Sequence, residues 1–257
     1  MLPRLVSQKC LLACKGLKVA RLSRLVVPLQ AHYVMLSAND GGLLFKQNAD
    51  YEVMLKFIYE HCVREGVLLH GYSLLDTQVH LLLTPNTERN LSRVMQGLGR
   101  SYVRYFNQCY ARSGTLWSGR YKSTIVQPAG WVKNCLIYFD FLPVLASSKG
   151  PTGEVVSFAG DYEWTSHTHF VGLRVNGHIT PHADVWNLGN TPFAREEQYA
   201  QLAQAGLDSE VINQITTAIQ GGWVLGDASF IAEIQAQTHR RVAKAKPGRP
   251  PLVRAAP

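Results

Sequence analysis

The order in which strand-like and helix-like segments follow one another constrains the fold of this chain more than any other feature of its sequence. Four segments predict β-strands, at residues 31–37, 67–74, 79–84 and 116–126. Three stretches with helical apolar spacing predict helices, at residues 50–65, 91–109 and 131–141, the last ending at Pro143. The order β-α-β-β-α-β-α predicts an α+β fold of the ferredoxin-like or RRM-like kind, in which one antiparallel sheet carries helices on one face.

The rest of the chain divides by composition. Residues 1–18 show no clear pattern and are expected to form an N-terminal extension before a main domain over residues 19–170. A helical C-terminal region is predicted over residues 171–239, including one long helix at 196–220. Residues 240–257 are basic and proline-rich, which is typical of a disordered tail.

The formal net charge of +8 is concentrated in stretches that hold almost no acidic residues. No Asp or Glu precedes Asp40 or follows Arg240, and between Asn86 and Lys122 seven basic residues accompany a single acidic one, Glu88. Clustered positive charge favours a polyanionic partner, with nucleic acid as the first candidate and an anionic membrane surface as the second.

Secreted and membrane-spanning classes are disfavoured. No stretch approaches the ~18 consecutive apolar residues of a membrane-spanning helix. Five scattered cysteines form no disulfide framework and favour reduced thiols, and the pair Cys10 and Cys14 lacks histidine partners for a metal site. We therefore expect a cytoplasmic protein without membrane partners, associated with the nucleoid if it binds DNA.

The predicted helix at 91–109 carries a stripe of arginines opposite its apolar face. Arg93, Arg100 and Arg104 fall together at 3.6 residues per turn, and Arg89 joins them if the helix starts early. An ordinary solvated face is one interpretation. The absence of acidic partners on that face of the helix favours the other, contact with phosphates.

Two positions could carry chemistry. Gln78 and His80 lie two apart on a predicted strand, so both point to the same face and could hold a divalent ion. Tyr138, on the predicted helix at 131–141, could attack a phosphate if its charge were stabilised and the phosphate polarised. By spacing alone, a hydrogen-bonded structural histidine and a half-buried core tyrosine are the simpler interpretations.

Several blocks of the sequence resemble the REP-associated tyrosine transposases, single-tyrosine enzymes of the HUH superfamily. The resemblance covers most of the chain from Val19 and is carried by residues 19–28, 71–85, 91–107, 114–122 and 135–144. The segment that contains Gln78 and His80 resembles the metal-binding strand of that family, and the segment Cys135-Leu-Ile-Tyr-Phe-Asp resembles its tyrosine helix.

The resemblance implies a mechanism for DNA transposition. Tyr138 would attack a phosphate in single-stranded DNA, giving a 5′-phosphotyrosine and a free 3′-hydroxyl whose rejoining needs no ATP. A Mg²⁺ or Mn²⁺ ion would polarise that phosphate, held by two histidines of an H-x-H strand and by a polar residue one turn after the tyrosine. The substrate would be a palindromic repeat folded as a hairpin.

The sequence departs from the family at the implied metal ligands. His80 matches the second histidine, but Gln78 stands in place of the first and Leu142 in place of the later polar residue. Glutamine offers a neutral carbonyl oxygen to a hard cation, whereas leucine offers no ligand. Asp76 replaces a family proline and could supply a carboxylate.

Three functions stay open. The first is an active or weakly active transposase that uses Tyr138. The second is a DNA-binding protein that kept the fold and lost strand cleavage. The third is an unrelated ferredoxin-like protein whose basic face is accidental. The first two would act as a monomer or a homodimer.

Candidate DNA contacts are basic side chains of the central blocks and of the tail. Those of the central blocks would position phosphates without reading bases, at Arg89, Arg93, Arg100, Arg104, Arg120 and Lys122. The tail around Arg249 resembles an AT-hook core, which inserts arginine into a narrow minor groove. A solubilising tail is the alternative. His167 and His169 lie outside the predicted sheet and are not expected to bind metal, and Trp164 is expected to pack.

Overall fold

The computed structural model describes residues 24–149 and 153–244. The strands are β1 (Ala31–Ser37), β2 (Val67–Leu75), β3 (Gln78–Pro85) and β4 (Lys122–Val126). The long helices are α1 (Asn48–Glu65), α2 (Asn90–Cys109) and α3 (Trp131–Leu145), and the later helices are α4 (His167–Phe170), α5 (Ala183–Trp186), α6 (Pro192–Ala205), α7 (Ser209–Gly221) and α8 (Ala228–Ala236). Two single turns of 3₁₀-helix lie at Asn39–Gly41 and Ala159–Asp161.

The four strands form one antiparallel sheet in the order β2-β3-β1-β4. Met35 on the central strand β1 lies opposite His80 on β3 and opposite Lys122 on β4. Because residues directly opposite one another share a face, these three side chains lie in one row across the sheet. Tyr33, two residues before Met35, points to that same face.

Helices cover both faces of the sheet. α3 lies on the face of Tyr33, where the ring of Phe139 contacts the ring of Tyr33, and a side chain at Gly71 on β2 would collide with Leu136. The alternate residues, among them Val34 and Leu81, are also fully buried, and α1 and α2 pack on each other and against β2. We therefore place α1 and α2 on the face opposite α3.

The ferredoxin-like α+β class predicted from the sequence is confirmed, with one difference in the helix layers. The prediction put the helices on one face, whereas α3 takes the other face. α3 is apolar around most of its circumference, with eight of its first twelve residues buried, so it fits between two layers rather than on a solvated surface.

Three predicted elements differ from the structure by more than two residues. The fourth strand begins at Lys122 rather than 116, because Gly119 at φ 154° turns the chain before regular pairing with β1 begins. α3 passes Pro143, where proline removes only one hydrogen bond near the helix end. The helix predicted over 196–220 is two helices, separated at Gly206, which has φ 75°.

The C-terminal helices pack on the sheet domain instead of forming a separate unit. The buried carboxylate of Asp140 on α3 accepts hydrogen bonds from His167 Nδ1 on α4 (2.9 Å) and from the Tyr199 hydroxyl on α6 (2.8 Å). Burial raises the pKa of Asp140, and the bonds from His167 and Tyr199 offset part of that increase. One core therefore continues across the predicted boundary at residue 170.

The packed chain also extends beyond residue 239, where the disordered tail was predicted to begin. Val242 is buried in a second apolar cluster with Ile125, Phe230 and Ile234, and its carbonyl accepts a hydrogen bond from the Val224 amide. Residues 245–257 lie outside the described residues, as do 1–23, so the extension and the Arg249 motif stay predictions.

Candidate active site and nucleic-acid interface

The tyrosine at the centre of β1 connects the two residues that the sequence singled out for chemistry. The hydroxyl of Tyr33 donates a hydrogen bond to His80 Nδ1 at 2.6 Å, and its ring centroid lies 6.4 Å from that of Tyr138. His80 and Tyr138 therefore lie on the same face of the sheet, on either side of one buried phenol. Sequence reasoning missed Tyr33, because its position beside His80 depends on the register between β1 and β3.

Both ring nitrogens of His80 are hydrogen-bonded within the protein. Burial raises the pKa of Tyr33 well above its ordinary value, so its hydroxyl stays protonated and donates to Nδ1. Nε2 then carries the imidazole proton and donates it to Gln78 Oε1 at 3.0 Å. Burial also lowers the pKa of His80 to about 3, so the neutral ring with the proton on Nε2 satisfies both bonds.

Tyr138 is covered by the C-terminal region. The side chain lies on α3 and is 8% exposed, and its hydroxyl lies 3.4 Å from Thr216 Oγ1 on α7. The Thr216 hydroxyl donates to the Ile212 carbonyl at 2.8 Å, so in the contact with Tyr138 it accepts. Leu142, one turn after Tyr138, is buried and apolar. Sequence reasoning did not identify Thr216, because nothing in the 209–221 segment marks it apart from an ordinary helix residue.

The arginine stripe lies on a different side of the molecule. Arg93, Arg100 and Arg104 are exposed on the outer surface of α2, and Arg89 precedes the helix at its N-cap, four residues before Arg93. Because α2 covers the sheet face opposite α3, the structure does not bring this stripe next to Tyr138.

One part of the argument for phosphate contact needs correction. The stripe was judged to lack acidic partners, but Arg93 Nη1 lies 3.8 Å from Glu65 Oε2 at the end of α1. An exposed pair of this kind is weak, so Arg93 stays available to a phosphate, although it is less free than its position on α2 indicates. Arg100 and Arg104 form no ion pair within the described residues.

The two histidines near Trp164 are structural. His167 donates to Asp140, and His169 Nδ1 accepts a hydrogen bond from the Asn176 amide at 3.2 Å. Trp164 stacks on Tyr51 with ring centroids 4.6 Å apart, as the packing role predicted for it requires. Cys62, Cys109 and Cys135 are free thiols.

Comparison with known proteins identifies the sheet domain. The family described as "Transposase IS200 like" matches residues 26–136, a segment that contains all four strands together with α1 and α2. The sheet domain of this chain is therefore similar to the IS200-like transposases. The match ends just before Tyr138, so it covers His80 and Gln78 but not the tyrosine.

Two solved structures are similar to this chain. A REP-associated tyrosine transposase bound to a REP hairpin aligns over 64% of this chain and 96% of its own, with 12% identity and a TM-score of 0.50. A Deinococcus radiodurans R1 protein described as a transposase aligns over 40% of this chain and 82% of its own, with 16% identity and a TM-score of 0.33. The first shows a shared fold. No curated protein matches the sequence.

The residues around His80 do not fit a Mg²⁺ or Mn²⁺ site. Such ions take about six ligands, mostly oxygens, in near-octahedral geometry. Here His80 Nε2 and Gln78 Oε1 are bonded to each other, and Leu142 supplies no donor. Asp76, the substitute carboxylate, accepts a hydrogen bond from the Tyr51 hydroxyl at 2.7 Å instead. Within residues 24–149 and 153–244, no group of three or more His, Cys, Asp or Glu side chains could hold a metal ion.

Arg120 and Lys122 do come together, in a cleft at the start of β4. Its other basic lining residues, Arg24 and Arg240, come from opposite ends of the described chain, so sequence reasoning did not group them. The cleft has a volume of about 360 Å³. Among the described helices, none has the length and apolar character needed to cross a membrane.

Proposed function

We propose that this chain is a transposase-derived protein that binds single-stranded or hairpin DNA and no longer cleaves it through a phosphotyrosine. The single observation that carries the proposal is the closed hydrogen-bonded row of Tyr33, His80 and Gln78, which occupies the place of the implied metal ligands. The DNA would be a palindromic repeat, and binding to it would associate the protein with the nucleoid.

DNA binding is supported by the family and by the surface charge. The solved structure with the same fold is described as bound to a REP hairpin. This chain carries exposed arginines along α2 and a second basic surface at Arg120 and Lys122. Each cation that neutralises a phosphate releases counterions, so binding through these surfaces should weaken steeply as salt rises.

Loss of cleavage is supported by the state of the buried groups. A nucleophilic hydroxyl needs a base or a cation to stabilise its charge, but the only neighbour that hydrogen-bonds Tyr138 within the described residues is the neutral hydroxyl of Thr216. His80 would have to give up a bond to Tyr33 or to Gln78 before it could serve as a ligand or base, and burial opposes the charged form of its ring.

An active transposase is the second candidate, and one observation favours it. Tyr138 and His80 both contact Tyr33 on the same face of the sheet, which is the placement that a shared phosphate would need. In this alternative α7 would move away from Tyr138, whose hydroxyl would then attack the phosphate. The bond from phosphorus to the 3′-oxygen would break, the 3′-oxygen would leave as a hydroxyl with the proton that the tyrosine loses, and the 5′-phosphate would stay on Tyr138.

A covalent-adduct assay separates the two candidates. The full chain is incubated with a labelled hairpin that carries a single-stranded 5′ extension, in Mn²⁺ and in Mg²⁺, and is resolved on a denaturing gel. We expect no covalent adduct. In a matched anisotropy titration, we expect Tyr138→Phe to bind the hairpin as tightly as the wild type does. An adduct present in the wild type and absent in Tyr138→Phe would establish the second candidate instead.

A further inference from the structure

A cavity lies between the outer face of α1 and the segment 163–178, which runs along the outer edge of β2. Its volume of about 990 Å³ is near the upper end of the roughly 300–1,000 Å³ that pockets for small ligands occupy. Tyr72 on β2 lines the cavity and pairs with Leu81, the residue next to His80 on β3. Because neighbouring residues of a strand point to opposite faces, the cavity lies on the face of the sheet away from His80.

The wall formed by the segment 163–178 is anchored to the sheet at both ends. The Leu74 amide donates a hydrogen bond to the Trp164 carbonyl at 2.9 Å, near the start of the segment. Just after its end, the Thr180 amide donates to the Leu69 carbonyl at 2.8 Å. The shape of the cavity is therefore set by the fold, which lowers the entropy that a ligand would lose by ordering it.

Two aromatic stacks join this wall to α1. Trp164 stacks on Tyr51 with ring centroids 4.6 Å apart, and His178 stacks on Tyr59 with ring centroids 4.1 Å apart. Tyr51 and Tyr59 are eight residues apart, a rise of about 12 Å along the helix. Asn176 Nδ2 also donates to the Tyr59 hydroxyl at 2.8 Å. The rings of Trp164 and Tyr59, which both line the cavity, are thus held in fixed orientations.

The charges at the cavity favour a cationic ligand over an anionic one. Glu52 lines the cavity and is exposed, and within the described residues it forms no ion pair. Each of the three basic side chains that line the cavity already has a carboxylate partner. The pairs are Lys56 with Glu60 at 3.9 Å, Arg64 with Glu65 at 3.2 Å and Arg174 with Glu163 at 3.6 Å.

The aromatic rings add to this preference. The face of an aromatic ring attracts cations, and the face of tryptophan attracts them most strongly. Trp164, Tyr59 and Tyr72 all line the cavity, as does the unpaired carboxylate of Glu52. A cation in the cavity would therefore be bordered both by aromatic rings and by a negative charge.

The ligand also needs an apolar body. Leu55 lines the cavity, and two further lining side chains, Val63 and Val175, are 74% and 84% exposed. Exposed apolar side chains that lie together with polar residues around them are typical of ligand-binding grooves. A bare metal ion or ammonium ion would leave these side chains uncovered and most of the cavity empty.

We propose that this cavity binds an organic cation, in which an ammonium group or a cationic ring is carried on an apolar or aromatic body. The inference goes beyond the proposed DNA binding, because the basic side chains of the cavity are paired with carboxylates and its unpaired charge is negative. A neutral apolar ligand and an anion are the alternatives that the experiment separates.

The test is isothermal titration calorimetry of the full chain with four probes. Benzyltrimethylammonium carries the cation on an aromatic body, and choline carries the same trimethylammonium group on a smaller body. The neutral isostere of choline, in which a carbon atom replaces the nitrogen, has the same shape without the charge. Inorganic phosphate is the anionic probe.

We expect benzyltrimethylammonium to bind more tightly than choline, and choline to bind at least about tenfold more tightly than its neutral isostere. Glu52→Gln should weaken the binding of both cations about tenfold, and because Glu52 is exposed the variant should fold normally. Glu197→Gln is the matched control, since Glu197 is an exposed glutamate of α6 that lies outside the cavity and forms no ion pair within the described residues.

A second pair of variants tests the aromatic wall. Tyr59→Leu removes the ring and should weaken benzyltrimethylammonium binding about fivefold, whereas Tyr59→Phe keeps the ring and should retain most of the affinity. Urea denaturation of each variant shows whether it is folded. If Tyr59→Leu does not fold, Glu52→Gln and the probe pair still decide the question.

Three results would overturn the proposal. Equal affinity for choline and its neutral isostere would assign the cavity to neutral apolar ligands. Phosphate binding that is lost in Arg174→Gln, without binding of either cation, would assign it to an anion. A wild type that binds neither cation, or a Glu52→Gln variant that binds both as tightly as the wild type does, would remove the site. No DNA is present in these titrations, so none of the results bears on hairpin binding.

Discussion

The face of the sheet beneath α3 and the basic surfaces of the molecule differ in where their polar groups find partners. Beneath α3, Tyr33 is 0% and His80 2% exposed, and every nitrogen of the His80 ring has a partner within the protein. At the cleft and along α2, the cations are exposed or point into an open groove, and most have no acidic partner within the described residues.

This difference indicates which of the two regions needs a binding partner to explain its residues. Buried polar groups must be satisfied internally, because an unsatisfied one costs about 1–3 kcal/mol. Gln78 provides that satisfaction where the resemblance implies a histidine, so the position of the implied metal ligand contributes to the stability of the fold. Exposed cations contribute little to folding, so their clustering is better explained by a partner.

The largest effect is expected at the carboxylate that holds α4 and α6 to α3. Asp140→Ala should lower the free energy of unfolding by about 3 kcal/mol, because His167 and Tyr199 lose their buried partner. Urea denaturation measures this change. A loss below about 1 kcal/mol would show that the C-terminal region is not held to the domain in this way.

The next effect tests the closed row directly. Tyr33→Phe should lower the free energy of unfolding by about 2 kcal/mol, because His80 Nδ1 loses its donor in the interior. Tyr59→Phe, at a partly exposed hydroxyl bonded to Asn176, is the control and should cost less than about 0.5 kcal/mol. Hairpin affinity should be unchanged in both variants. A loss of hairpin affinity in Tyr33→Phe together with the loss of stability would show that the buried row and the basic surfaces are coupled.

The free energy of unfolding should depend on pH because a histidine is buried in the interior, whereas DNA binding by arginine side chains should not depend on pH. His32 accepts from the Val27 amide and donates to the Gln30 carbonyl as a neutral ring, and burial lowers its pKa to about 4. Its unfolded pKa is about 6.5, so below that pH the unfolded chain binds the extra proton and stability falls, down to about pH 4.

Thermal or urea unfolding at several pH values checks this expectation. At pH 5 the contribution of His32 should be about 2 kcal/mol less favourable than at pH 7. A stability that stays flat between pH 7 and 5 would contradict the neutral, buried assignment. Arginine keeps its charge throughout this range, so hairpin affinity should not follow the same curve while the protein stays folded.

A smaller effect is expected for the stripe on α2. Arg100→Gln and Arg104→Gln should each weaken hairpin binding a few-fold, and each should lower the salt slope by about 0.9 if the contact is to duplex DNA. The free energy of unfolding should change by less than about 0.5 kcal/mol, since both side chains are exposed. An unaltered salt slope in both variants would remove this stripe from the interface.

The smallest effect concerns the tail. Because Val242 packs in the second apolar cluster, a truncation that tests the Arg249 motif should begin after residue 244 rather than at 240. Removal of residues 245–257 should reduce affinity for A·T-rich hairpins a few-fold and leave thermal stability unchanged. If the full chain and the truncated chain bind with equal affinity, and neither distinguishes A·T-rich from G·C-rich hairpins, a solubilising tail would be favoured.

Local patterns in the sequence were sufficient for the first three strands and for α2. β1 was predicted with its observed bounds, because an apolar run between a proline and a turn allows few alternatives. α2 was predicted within one residue, because its apolar face repeats over five turns. Gln78 and His80 were placed on one face for the same reason, since strand alternation is a local property.

Contacts between distant segments were not predictable in the same way. Tyr33 lies beside His80 only because β1 inserts between β3 and β4 in this register. Thr216 covers Tyr138 only because α7 folds back on α3. Arg24 and Arg240 line one cleft only because the two ends of the described part of the chain pack near the start of β4. None of these pairs of residues has a local signal in the sequence. The one local hint is Gly222, whose lack of a side chain allows the close approach of Arg240.

The state of His80 can be measured directly, by NMR of the chain labelled with ¹⁵N-histidine. A neutral ring held between Tyr33 and Gln78 predicts a protonated Nε2 and an unprotonated Nδ1 at pH 7, with shifts that do not move when Mg²⁺ is added in excess. A ring with its proton on Nδ1, or a His80 signal that moves on titration with Mg²⁺, would contradict the account and restore a metal site beside Tyr138.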